Sequence, residues 1–254
     1  MAEKRGQVTA FIILGVVILF LVLLIIYLLS EEQESIFEET AEVQSLRLFI
    51  GDCVNKVVEE GAYLVASQGG YYDPPMPFKE MEGLGIPYYH YLGAQRIPEI
   101  EEVELELSRY IQDNLPLCVG NFSDFPGFEL EAGYPKAESD IIDGEIFVSV
   151  NYPVSARKDK SLFKLNSFSR RINLDLRKEY DAMRKIMDEQ NIRKPYIPVG
   201  FITQTAYRNN LTYEIIQFPG SEDQVVVSLK SKGSGLEDEL VYSFALKYDW
   251  SSLA

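Results

Sequence analysis

Histidine is almost missing from this chain. Among 254 residues there is one, His90, so any mechanism or metal site that needs two imidazoles is excluded. Cysteine is scarce as well. Cys53 and Cys118 cannot build a four-thiolate zinc site, and one imidazole cannot complete the mixed kind. Cations are in deficit, 24 Lys and Arg against 39 Asp and Glu, for a net charge of −15. That balance argues against a nucleic-acid partner, because neutralising phosphates takes clustered Lys and Arg. No GxSxG elbow, P-loop, HExxH pair or dinucleotide fingerprint occurs, so no catalytic residue and no cofactor is assigned. Asp140, Asp143 and Glu145 gather near one turn, but the spacing and late Glu of a calcium loop are absent, and no metal is assigned.

What the chain has in abundance is apolar sequence at its start. Val8 to Leu29 is an uncharged run of 22 residues. At about 1.5 Å per residue a helix of this length reaches roughly 33 Å, enough to cross a hydrocarbon core of about 30 Å. A cleaved secretory signal would have a shorter apolar core of about 7–15 residues and small residues at the cut. Here the run ends in Leu28-Leu29-Ser30-Glu31-Glu32, which favours a retained anchor. Lys4 and Arg5 precede it and Glu31, Glu32 and Glu34 follow it, which orients the N-terminus to the cytoplasm. The expected plan is a cytoplasmic segment (1–7), a transmembrane helix (8–29) whose partner is the lipid bilayer, and an extracytoplasmic domain (30–254). The first thirty residues hold Glu3, Lys4 and Arg5, net +1, so the remainder stands at −16.

Lys4-Arg5-Gly6-Gln7-Val8-Thr9, directly ahead of the apolar run, resembles the processing site of archaeal type IV pilin-like proteins. The resemblance covers about the first thirty residues. It implies a cut between Gly6 and Gln7 and an apolar helix that packs into a filament core or stays as an anchor. Where that family carries Glu at the fifth mature position, this chain has Phe11.

Beyond the anchor, Ile36, Val43, Leu46, Ile50, Cys53, Val57 and Leu64 recur at steps of three, four and seven. They form one stripe of an amphipathic helix, widened by Phe37, Phe49 and Val54. One rod from about Thr9 to about Ser67 is expected, closed by Gly69 and Gly70. A second helix is expected from Glu99 to about Asp113, with Pro98 in its first turn and Ile100, Val103, Leu107 and Tyr110 on its buried face. Cys53 lies on the first stripe and Cys118 follows the second helix. In an exported domain the pair reads most naturally as one disulfide, with two buried thiols as the other reading.

Residues 67–98 read as a long loop rich in Gly and Pro, carrying Tyr71, Tyr72, Tyr88, Tyr89 and Tyr91. These tyrosines either seal the helix pair or form a contact surface. From Phe128 the period changes to two. Asp143-Gly144 marks a hairpin turn between Ser139–Ile142 and the run through Val148, Val150, Tyr152 and Val154, with Pro153 suggesting an edge or strand end. A strand at 168–174, a helix at 175–191 capped by Asp175, and strands near 211–218, 224–230 and 240–248 follow. The fold class is therefore α+β: a helical part (30–125), then a mostly antiparallel sheet with one packed helix (126–254). Asn121-Phe-Ser and Asn210-Leu-Thr match the glycosylation acceptor pattern. The functional expectation is a non-enzymatic, single-pass, pilin-like cell-surface protein with a structural, assembly or attachment role. Its partner would be its own copies or another envelope protein. The alternative is an extracytoplasmic receptor or accessory subunit that binds a small ligand or a partner complex.

Overall fold

The computed structural model describes residues 14–24, 41–120, 122–193, 195–232 and 239–250. The chain divides into two units, Met1–Glu42 and Val43–Ala254. In the first unit residues 14–24 are helical (α1). Among the described residues no helix is long and apolar enough to cross a membrane. This corrects the expectation of a membrane-spanning rod continuous from Thr9 to Ser67. The described part of α1 is eleven residues, which reach about 16 Å, roughly half of a hydrocarbon core. The other residues of the expected span lie outside the described ones, and the next helix, α2, is assigned to Ala41–Ser67.

In the second unit, α2 buries the expected stripe: Val43, Leu46, Ile50, Cys53, Val54 and Val57, joined by Val58, Ala62, Val65 and Ala66. Its end is fixed by glycine. The N–H groups of Gly69 and Gly70 donate to the carbonyls of Ala66 and Val65, and both glycines hold a positive φ, +58° and +84°. Gly61 does a different job. A Cβ there would stand 2.5 Å from Cδ1 of Tyr110, so its absence lets helix α3 (Ile100–Val119) press a tyrosine ring onto the α2 backbone.

Helix α3 begins after Glu99 rather than on Pro98 and runs past the expected end at Asp113, through Pro116 to Val119. Proline removes one intrahelical bond, but its carbonyl still accepts the closing bond from Gly120. Cys118 is thereby on the last turn of α3, not beyond it. The segment 67–98 is likewise not a structureless loop. It contains β1 (Phe78–Met81), β2 (Leu84–Tyr91) and β3 (Ala94–Gln95).

Two sheets form, where the sequence suggested one. The first runs β1-β2-β10-β9-β8, with β3 on β2; its later strands are β8 (Thr212–Phe218), β9 (Ser221–Lys232) and β10 (Glu239–Lys247). Strand β2 pairs parallel to β10, and the other pairs are antiparallel. Val225–Leu229 and Tyr242–Leu246 are buried on both faces, although Leu240, Tyr242, Phe244, Leu246 and Tyr248 alternate in the sequence as a half-buried strand would. The 30–125 part and the 126–254 part thus share one sheet.

The second sheet is built on β6 (Glu145–Lys158). On one side of it lie β4 (Glu129–Ala132) and β5 (Lys136–Ile142); on the other lies β7 (Ser161–Ile172), whose only ladder partner among the described residues is β6. The turn at Asp143-Gly144 is as expected, with Gly144 at φ +80° and Ile142 opposite Glu145. Pro153 is not at an edge. It stands mid-strand where the β6–β7 register shifts between Asn151 and Val154, and a bulge there needs no N–H from it. Helix α3 covers the free rim of β5: Glu104 accepts from the Ile141 N–H at 2.9 Å, and Ser108 meets Ser139 at 3.0 Å.

Helix α4 (Leu176–Ile192) is capped by Asp175, which accepts from the Lys178 N–H, and buries Leu176, Tyr180, Met183 and Met187. Helix α5 (Val199–Arg208) stands where the sequence pattern carried no assignment. Replacing Gly61 by valine should destabilise the body by about 1–3 kcal/mol through overpacking against Tyr110. Urea titration measures this, and a shift in midpoint with unchanged slope is the expected form.

Candidate functional site

The covalent centre of the body is the bond between Cys53 on α2 and Cys118 on α3. Their Cα atoms are 5.7 Å apart, and the bond joins residues 65 apart in sequence. Among the described residues no cysteine is free, so no thiol nucleophile exists while the bond is closed. In the chain-entropy picture a closure of this length contributes on the order of 4 kcal/mol.

The tyrosines of 67–98 belong to the interior, not to an open contact surface. Tyr71, Tyr88 and Tyr89 are buried; Tyr72 and Tyr91 are half-buried. The Tyr89 hydroxyl donates to the Gly69 carbonyl and lies 2.8 Å from the Tyr242 hydroxyl, while its ring stacks on Phe244. Tyr88 donates to Gln224, and Tyr72 meets Tyr110 edge-on. Arg96 and Lys247 lie over the Tyr91 ring. Burial, with the nearby charges of Glu102 and Glu106, pushes the Tyr71 phenol up to about 12. Glu106 accepts from the N–H groups of Tyr72 and Asp73 and pairs with Arg109, so this carboxylate anchors backbone. His90 is buried with its ring 5.3 Å from that of Tyr248.

Glu179 on α4 is fully buried and neighbours Ser231 on β9 without closing a hydrogen bond of ordinary length. Burial raises its pKa, and the opposing pulls of Ser231 and Lys178 are smaller.

A groove of about 870 Å³ lies where α4 ends and α5 begins, lined by Ile192, Tyr196, Ile197, Val199 and Phe201. Glu189 and Arg193 stand on its wall paired to each other at 2.6 Å. Its lining suits an apolar or amphipathic guest and offers no acid–base pair. Asn210 is exposed at the turn after α5. Gly6, Gln7 and Asn121 lie outside the described residues. Asp140 is on β5, and Glu145 pairs with Arg171 at 2.8 Å. Among the described residues no three His, Cys, Asp or Glu side chains are grouped to hold a metal.

With this geometry in view, the chain was compared with protein-family models, curated proteins and solved structures, and none of the three gave a match.

Reducing the Cys53–Cys118 bond, or the double change Cys53→Ser/Cys118→Ser, should cost about 2–5 kcal/mol of stability. Alkylation and mass measurement before and after reductant report the bond itself. Glu179 contributes to the pH dependence of stability. In the unfolded chain its carboxyl ionises near pH 4.3, earlier than in the folded state. Its contribution to stability is therefore fully present below that pH and declines as pH rises toward the folded value. Glu179→Gln should abolish this decline, gaining on the wild type at pH 8 but not at pH 4 in parallel urea titrations.

Proposed function

We propose that this chain is a non-enzymatic cell-surface protein, held at the membrane by the apolar sequence between Val8 and Leu29. Its disulfide-bonded α+β body would serve a structural, assembly or attachment role outside the cytoplasm. The observation that carries this reading is the Cys53–Cys118 pair, which bonds two helices of the core. Such bonds persist in oxidising compartments and are rare in reducing ones. Three features support it: Lys4 and Arg5 before the apolar run, the acidic residues after it, and Asn210 exposed within an acceptor triplet. In the same reading the N-terminal resemblance to archaeal pilin-like proteins makes Gly6–Gln7 the processing point.

A second reading, a receptor or accessory subunit, is favoured by the apolar groove at the α4–α5 junction. A small amphipathic molecule co-purifying with the native protein would speak for it.

Protease added to intact cells should degrade the body, and native mass mapping should find the two cysteines bonded. A body untouched until the cells are lysed, with both thiols alkylated, would overturn the proposal.

A further inference from the structure

A polar cleft of about 490 Å³ opens on the outer face of the second sheet, lined by Gln112 of α3, Tyr134, Lys136 and Glu138 of β5, and Ser149 and Asn151 of β6. Lys136 is the register partner of Asn151, and Glu138 that of Ser149. Strand spacing is about 4.8 Å and two residues along a strand span about 6.8 Å, so these four side chains mark the corners of a small rectangle. Beside it the Tyr134 hydroxyl donates to Asp113 at 2.9 Å, which holds the ring while 62% of the residue stays exposed. Among the described residues, Gln112, Lys136, Glu138, Ser149 and Asn151 make no hydrogen bond or ion pair through their side chains. Polar groups converge here with their bonding capacity unspent.

The chemistry of the lining selects the guest. A phosphorylated ligand needs uncompensated cations, and Lys136 is balanced by Glu138. A lipid or apolar peptide would strand these amides and charges without partners. One carboxylate is too few for a cation. A polyhydroxylated molecule fits. Each hydroxyl is both donor and acceptor, which matches a wall of amides, hydroxyl, ammonium and carboxylate. The apolar face of a sugar ring can lie on a fixed aromatic ring. The volume is that of a small-ligand site.

We propose that this cleft binds neutral saccharide, with Tyr134 as the stacking platform and Glu138, Ser149 and Asn151 as hydroxyl partners. Binding in a purified system does not depend on the cellular location proposed above; only access to envelope glycans does. The test uses the full chain in a detergent without a sugar headgroup. It is passed over immobilised neutral oligosaccharides ending in glucose, galactose, mannose or N-acetylglucosamine, with acidic oligosaccharides alongside. At least one neutral class should be retained. Tyr134→Ala and Asn151→Ala should each weaken that binding about tenfold or more. Tyr207→Ala, which removes an exposed tyrosine of α5, should leave it unchanged. Urea midpoints close to wild type would show that both cleft variants are folded. No retention of any neutral oligosaccharide, equal binding by folded Tyr134→Ala, or a preference for the acidic ones would overturn the proposal.

Discussion

The parallel pairing of β2 with β10 is the contact on which the architecture of the body depends. It brings residues 88–91 against residues 245–247, so the early segment and the last strand complete one sheet. The buried hydroxyl pair Tyr89–Tyr242 fastens that seam, and Tyr89 also donates to the carbonyl of Gly69, whose N–H closes α2. A buried hydroxyl without a partner costs about 1–3 kcal/mol, so Tyr242 requires Tyr89 in place, whereas Tyr89 also has the Gly69 carbonyl. The helix end, the central sheet and the C-terminal strand are therefore one cooperative structure. Gln68 reinforces the junction: its amide nitrogen donates to the carbonyls of Tyr71 and Tyr72, and its oxygen accepts from the Gly85 N–H.

The helix pair is secured by different means. At Gly61 a missing side chain admits Tyr110, and at Cys53 a covalent bond reaches Cys118. One turn before Tyr110, Glu106 holds the backbone of Tyr72 and Asp73. Helix α3 then turns its other flank to β5 through Glu104 and Ser108, which joins the helix pair to the second sheet. The polar cleft beside Gln112 and Tyr134 is framed by that junction, so its geometry is inherited from the core and not from a free loop.

Much of the body could be read from residue patterns because the patterns were local. The stripe of α2, the Asp143-Gly144 hairpin, the Asp175 cap with its buried methionines, and the three C-terminal strands all follow from spacing and turn chemistry. The misreadings arose where tertiary contact overrode a local signal. Gly83, Gly85 and Pro87 suggested loop, yet they belong to or border β2, whose stability comes from β10 far along the chain. Pro116 and Pro153 suggested ends, yet one is tolerated inside a helix and the other falls at a bulge. The apolar start suggested a single long rod, whereas the helix described there is eleven residues. The cleft was invisible for a different reason. Gln112, Tyr134, Lys136, Glu138, Ser149 and Asn151 come from three separate elements and the β4–β5 connection and share no motif.

Among the described residues strand β7 has a ladder partner on one side only, and its exposed positions include Lys164 and Arg171. An open rim of twelve residues is an invitation to add further strands from identical molecules. Two such rims brought together would set the Lys164 ammonium groups between chains, while Arg171 already has Glu145 as its partner. A charge on a border of this kind disfavours joining copies into continuous ribbons along it.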